Sequence, residues 1–187
     1  MTISADDYRV VDSQVLVDHP RVRITMDTLE HNGKRRAHLI LGGGIAARAA
    51  IATAALTPDR QLVLTRQYRH ALRAVIYDLP AGRLDPDEEP IEGARRELEE
   101  ETGYRPGRMI QLGKFYQFPS TIDVPTHLFF ADDLTATRPH LDEGEELEVV
   151  LMSVHEVLAM IERGEVVDGS LQLGVLLAKH RGLLPEG

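Results

Sequence analysis

Residues 79–104, LPAGRLDPDEEPIEGARRELEEETGY, carry two superposed patterns. The first predicts a helix over 89–102, with Pro90 in the opening turn, where a missing N–H costs nothing, and Gly103 as its stop. Ile91, Ala94 and Leu98 fall at i, i+3 and i+7 and make one apolar stripe for packing on a sheet. The second pattern is acidic. Glu97, Glu100 and Glu101 fall at i, i+3 and i+4, so their carboxylates gather on a different face. Like charges at that spacing repel by a few tenths of a kcal/mol per exposed pair, and a helix built only for solubility would alternate signs. A water-facing acidic helix is one reading. The other is a cation site, because three hard oxygen ligands within one turn suit Mg²⁺ or Mn²⁺. The approach Leu79-Pro80-Ala81-Gly82 is tight and poor in side chains, which brings a backbone carbonyl within reach of the same ion.

Working outward, the chain before this segment is β-rich. Val10–Val17 and Val22–Leu29 are strand-like, and Asn32-Gly33 is a hairpin turn before Arg36–Leu41. Gly42-Gly43-Gly44 is expected to be a linker; no Gly-Lys-Ser/Thr follows to make it a phosphate cradle. An apolar run from Ile45 to Leu56, then Gln61–Tyr68, Val75–Leu79, Ile110–Tyr116, Thr126–Ala131 and Leu147–Ser153 read as further strands. Two more helices are predicted, His155–Arg163 before Gly164 and Leu171–Arg181 before Gly182. Strands interleaved with few helices give an α/β class: a mixed sheet covered by helices, with a small β domain at 1–44 in front of a main domain at 45–187.

The 187 residues hold 43% hydrophobic and 27% charged residues, an ordinary globular balance that excludes wholesale disorder. There is no Cys, which excludes disulfides and thiolate chemistry. No signal-peptide pattern and no run of 18 apolar residues is present, so a cytoplasmic protein with no membrane partner is expected. The formal net charge is −9, and nine acids lie within 85–101 and five within 142–148, with Arg95 and Arg96 the only bases in those stretches. An acidic total with no Lys/Arg stripe argues against a nucleic-acid partner. Both acidic runs are available to feed one cation site.

Gly82, Glu88, Arg96, Glu97, Leu98, Glu100, Glu101 and Gly103 stand at the spacing G-x5-E-x7-R-E-U-x-E-E-x-G-U, where U is a bulky apolar residue. The segment thus resembles the Nudix box in full, with Tyr104 at the last U. The resemblance implies an α/β/α sandwich that cleaves a nucleoside diphosphate linked to another moiety, with Mg²⁺, or Mn²⁺, as cofactor. Carried over by position, Glu97 and Glu101 would ligate metal, with Glu100 contributing to the catalytic cluster and the Ala81 carbonyl completing part of the shell. Arg96 would orient the glutamates and Glu88 would brace the loop, both structural roles, as are those of Gly82 and Gly103.

Further matches are similar to the ADP-ribose pyrophosphatase branch: Leu79-Pro80-Ala81-Gly82-Arg83-Leu84, Pro119 sixteen residues after Gly103, Gln67-Tyr68-Arg69, and Asp168 with Ser170-Leu171. They imply that Arg69 contacts the substrate, and that the N-terminal β domain is exchanged within a homodimer. Tyr8 is the aromatic residue of that domain available to stack a base. Arg36 is a candidate phosphate contact, an exposed edge charge being the plainer reading. Asp123 stands beside Val124, where the branch has a Glu contacting substrate. Asp142-Glu143-Gly144-Glu145-Glu146-Leu147 resembles the branch's mobile loop, which implies Glu143 as general base and Glu145 as second choice. The function implied is hydrolysis of ADP-ribose, or a related nucleoside-diphosphate sugar, to a nucleoside monophosphate and a sugar phosphate. The alternatives are a pyrophosphatase for GDP-mannose or a broad set of sugar nucleotides, and a non-catalytic nucleotide-sensing module. The intact set Glu97, Glu100 and Glu101 speaks against the last. The eight His are scattered with no i, i+4 pair, and Asp85-Pro86-Asp87 lacks the Gly of a calcium loop.

Overall fold

The computed structural model describes residues 4–20, 22–43, 49–141, 144 and 146–185. They divide into two compact units, Met1–Ala49 with Tyr116–Pro125, and Ala50–Phe115 with Thr126–Gly187.

The first unit is an antiparallel sheet of β1 (Arg9–His19), β2 (Val22–His31) and β3 (Lys34–Gly43), in that order. Asn32 and Gly33 both have positive φ, 50° and 70°, which is what a two-residue turn matching the strand twist requires. The expected glycine linker is corrected in part. Gly42 and Gly43 are the end of β3, paired with Arg23 and Val22, because a ladder partner on β2 suppresses the freedom that isolated glycines have. Gly44 lies outside the described residues. Leu41 bonds the segment 116–125, taking an N–H from Asp123 (3.2 Å) and giving its own to the Thr121 carbonyl (2.8 Å). No described residue of β1, β2 or β3 is buried, and Val10, Val15, Leu16, Val17 and Leu39 are exposed.

The second unit holds β4 (Ala50–Leu56), β5 (Gln61–Arg69), β6 (Ala74–Asp78), β7 (Ala81–Arg83), α1 (Pro90–Thr102), β8 (Tyr104–Tyr116), β9 (Pro125–Ala136), β10 (Leu147–Ser153), α2 (Val154–Glu162) and α3 (Gly169–His180). The sheet order is β10-β5-β4-β9-β8, with β4 parallel to β9 and β5 antiparallel to both its neighbours. Alternation along the central strands separates two faces. Ala52, Ala54, Leu62, Leu64, Leu128 and Phe130 pack under Val157 of α2 and Leu171, Val175 and Ala178 of α3. Ala55, Val63 and Ala131 pack under Leu98 of α1. The result is helix, sheet, helix in three layers. Full burial of Leu98 contributes about 2–3 kcal/mol of transfer free energy.

The sheet opens where the site is built. Among the described residues β4 meets β5 at Ala55↔Val63 and Leu56↔Leu62. Beyond that, β6 takes over β5, from Thr65↔Asp78 to Arg69↔Ala74, and β7 takes over β4, from Ala50↔Arg83 to Ala52↔Ala81. The turn between β6 and β7 sits in that split, pinned by the Thr53 N–H on the Pro80 carbonyl (2.9 Å). β7 has three residues, too few to leave a period in the sequence. β8 starts six residues earlier than expected and takes in Pro106 and Gly107, both weak strand formers alone, with β9 as its neighbour in the sheet. Among the described residues no helix is long and apolar enough to cross a membrane.

Candidate active site

The turn and the first helix are joined by side chains from both. Arg96, on α1, is the hub. Its Nε donates to Glu88 Oε1 (2.9 Å) and its Nη2 to Glu88 Oε2 (3.0 Å) and the Arg83 carbonyl (3.1 Å). Its Nη1 donates to Glu97 Oε1 (2.9 Å) and Glu100 Oε2 (3.0 Å). One guanidinium therefore holds three carboxylates, which offsets the repulsion that their spacing on the helix creates. The bidentate bond to Glu88, and then Glu97 and Glu100, push the Arg96 pKa further up. The same bond, helped by the Asp85 N–H, holds the Glu88 carboxyl below its ordinary range. Glu88 Oε2 also accepts that N–H (3.0 Å), so the loop from β7 into α1 is closed at both ends.

Glu97 and Glu101 meet the turn itself. A Cβ on Gly82 would lie 2.0 Å from the Glu97 carboxyl carbon, so only glycine lets that carboxylate rest against the backbone. Glu101 is 5% exposed, and its Oε2 accepts the Ala81 N–H at 2.9 Å. Gly103 closes the helix in the left-handed region (φ 69°), donating to the Glu99 carbonyl at 2.8 Å. The donors available here, Ala81, Glu97, Glu100 and Glu101, are all hard oxygens and fit a divalent cation in chemistry. Among the described residues no three acidic or imidazole side chains converge on one point at ligating distance; Glu97 and Glu100 hold Arg96 instead.

Glu101 also lines a cavity of about 320 Å³ with Gln67, Tyr68, Gly144, Glu146 and Leu147. Glu143 and Glu145 lie outside the described residues. The chain at 137–140 is anchored on α1: Thr137 donates its N–H to the Gly103 carbonyl (2.6 Å) and His140 to that of Glu100 (2.8 Å). Arg69 sits at the end of β5 against Asp78. Tyr8 and Arg36 belong to the first unit and line one cavity there, about 460 Å³, together with His31, Lys34 and His38. Tyr8 is stacked on His31 at 4.2 Å between ring centroids. Asp123, exposed in the same unit, has its carboxylate beside Gly42, where a Cβ would lie 3.2 Å from Oδ1.

The residue that sequence reasoning missed is Asp78. Its signal is an acid inside the apolar run Val75–Leu79, since a carboxylate is almost never fully buried without a partner.

The model of the NUDIX domain matches residues 46–170, and the chain belongs to the Nudix hydrolase family. It is similar to the ADP-ribose pyrophosphatase of Bacillus subtilis, 36% identical over 64% of this chain and 65% of that protein's length. It is also similar to a GDP-mannose pyrophosphatase of Citrobacter koseri, 34% identical over 60% of this chain and 63% of that one. The match thus spans somewhat less than two thirds of either relative. A solved structure described as an ADP compounds hydrolase superposes with a TM-score of 0.82, covering 97% of this chain and 98% of that one at 22% identity, a likeness of fold. Nudix hydrolases generally use divalent metal ions.

Proposed function

We propose that this chain hydrolyses the pyrophosphate bond of ADP-ribose, or of a closely related nucleoside-diphosphate sugar, to a nucleoside monophosphate and a sugar phosphate. The observation that carries this reading is the Arg96-centred glutamate cluster lodged against Ala81 and Gly82, with Glu101 on the wall of the neighbouring cavity. Ala81, Glu97, Glu100 and Glu101 would hold Mg²⁺ or Mn²⁺. A divalent cation there would polarise a phosphoryl oxygen, offset the charge of the pyrophosphate and acidify the attacking water.

The chain's own residues do the rest. Arg96 and Glu88 fix the helix against the loop, so the glutamates need no rearrangement of backbone to act. Thr137 and His140 are bonded to the carbonyl end of α1, and Gly144 and Glu146 line the cavity that Glu101 lines. A general base beside these residues is part of this reading. Glu143 is the first choice and Glu145 the second. Arg69 receives an anionic group of the substrate, and Tyr8, Arg36 and Asp123 of the first unit contact the nucleotide. A homodimer is part of this reading, because β1–β3 leave Val10, Val15, Val17 and Leu39 exposed and bury no described residue.

GDP-mannose as the preferred substrate is the second reading, favoured by the Citrobacter koseri relative. The deciding experiment is a screen of the purified chain against sugar nucleotides and dinucleoside diphosphates with Mg²⁺ or Mn²⁺, reading phosphate after phosphatase coupling. ADP-ribose is expected to give the highest kcat/KM and to yield AMP. Faster turnover of GDP-mannose installs the second reading, and tight nucleotide binding without turnover installs a sensing module.

A further inference from the structure

Away from the glutamate helix, the second unit carries another charged cluster, built on one buried carboxylate. β5 ends on Arg69 and β6 ends on Asp78. Arg69 donates through Nε to Oδ2 of Asp78 (2.7 Å), and its Nη2 stands 2.5 Å from the same oxygen in an ion pair. Asp78 is 2% exposed, and its second oxygen, Oδ1, is buried with no hydrogen-bond partner among the described residues. A third member comes from α3. Asp168 is its N-cap, with Oδ1 accepting the Leu171 N–H at 2.6 Å. Burial raises both aspartates; Arg69 opposes the rise in each, while the Asp78 charge adds to it in Asp168.

A strand end that needed only to stop would not bury a carboxylate, since an apolar side chain of similar volume serves stability as well or better. What the carboxylate adds is direction. A guanidinium is a rigid planar fork, and a hydrogen bond from Nε with Nη2 held against the same fixed oxygen sets its plane. Arg69 is anchored inside yet 44% exposed along its side chain, and among the described residues its Nη1 carries no acceptor. Gln67 and Tyr68, the two residues before it on β5, line the cavity with Glu101.

We infer that Asp78 is a positioning residue, holding Arg69 so that its free Nη1 edge meets the diphosphate of a nucleoside-diphosphate substrate. This rests on the function proposed above. The test measures kcat and KM for ADP-ribose with Mg²⁺ on the full chain, each variant assayed well below its own Tm. Arg69→Lys keeps the charge without the fork and is expected to raise KM at least tenfold. Asp78→Asn and Asp78→Ser are expected to raise KM about tenfold with kcat within threefold, and Asp78→Glu to return KM to within threefold of wild type. Asp78→Asn combined with Arg69→Lys is expected to be no worse than Arg69→Lys alone. If Arg69→Lys raises KM while the Asp78 variants lower only Tm, Asp78 is structural and the proposal is overturned. If neither Asp78→Asn nor Asp78→Ser folds at 25 °C, stability alone accounts for the residue and the proposal is likewise overturned. An unchanged KM for Arg69→Lys instead overturns the reading of Arg69 as a substrate ligand.

Discussion

The two units of this chain use β-strands in opposite ways. In the second, β4 runs Ile51, Ala52, Thr53, Ala54 and Ala55 with all five side chains buried, because helices cover both faces of the sheet. In the first, the ten or eleven residues of each strand are paired almost throughout, yet no described one is buried. Backbone pairing alone does not make a core, and a sheet of a few strands is marginal without something on its face. The second unit is thus stabilised by its own interior and can carry the like charges of Glu97, Glu100 and Glu101. The first has exposed apolar residues on strands that bury no described residue, which suits a surface that meets other molecules.

That contrast can be broken by experiment. The largest effect is expected from Glu101→Gln, which removes a charge from the cation site while keeping an acceptor for the Ala81 N–H. kcat should fall by orders of magnitude with Tm unchanged or raised, since a repulsive charge is gone. Near-wild-type turnover at saturating Mg²⁺ would remove Glu101 from the site. Next comes Glu143→Gln, expected to lower kcat by roughly 10²–10⁴, with KM and Mg²⁺ affinity little changed and Glu145→Gln doing less. The reverse order in single-turnover rates would move the base to Glu145.

The comparison itself is sharpened by one apolar truncation in each unit. Leu98→Ala, under α1, should cost about 2–5 kcal/mol in urea unfolding. Val15→Ala, on β1, should leave that value within about 0.5 kcal/mol and weaken self-association in sedimentation. A large stability loss from Val15→Ala without any change of mass would show that β1 packs within one chain.

The smallest effect concerns pH. Asp168 has its pKa raised by burial, so the folded state holds that proton after the unfolded state has released it. Its contribution is fully present below the ordinary aspartate value of 3.8 and is lost as pH rises through the folded value. Asp168→Asn keeps the cap and removes this loss, so Tm of the variant relative to wild type should climb from pH 3 to pH 7. A flat difference would mean that the carboxylate is not desolvated.

What the sequence determined by itself was local. Glu97, Glu100 and Glu101 share a face because of helical geometry, whatever surrounds the helix, and Asn32-Gly33 turns because both residues accept positive φ. The caps Ser153 and Asp168 and the stop at Gly103 belong to the same class, each acting within one turn of its helix. The rest required distant segments to meet. Gly42 and Gly43 become strand through β2, and β7 exists because β4 offers an edge. The segment 116–125 joins the first unit through its bonds to Leu41. The clearest case is Asp78. Its carboxylate would be untenable in an apolar strand alone, and only tertiary structure supplies the guanidinium from β5 that makes its burial possible, because charge compensation acts through space and not along the chain.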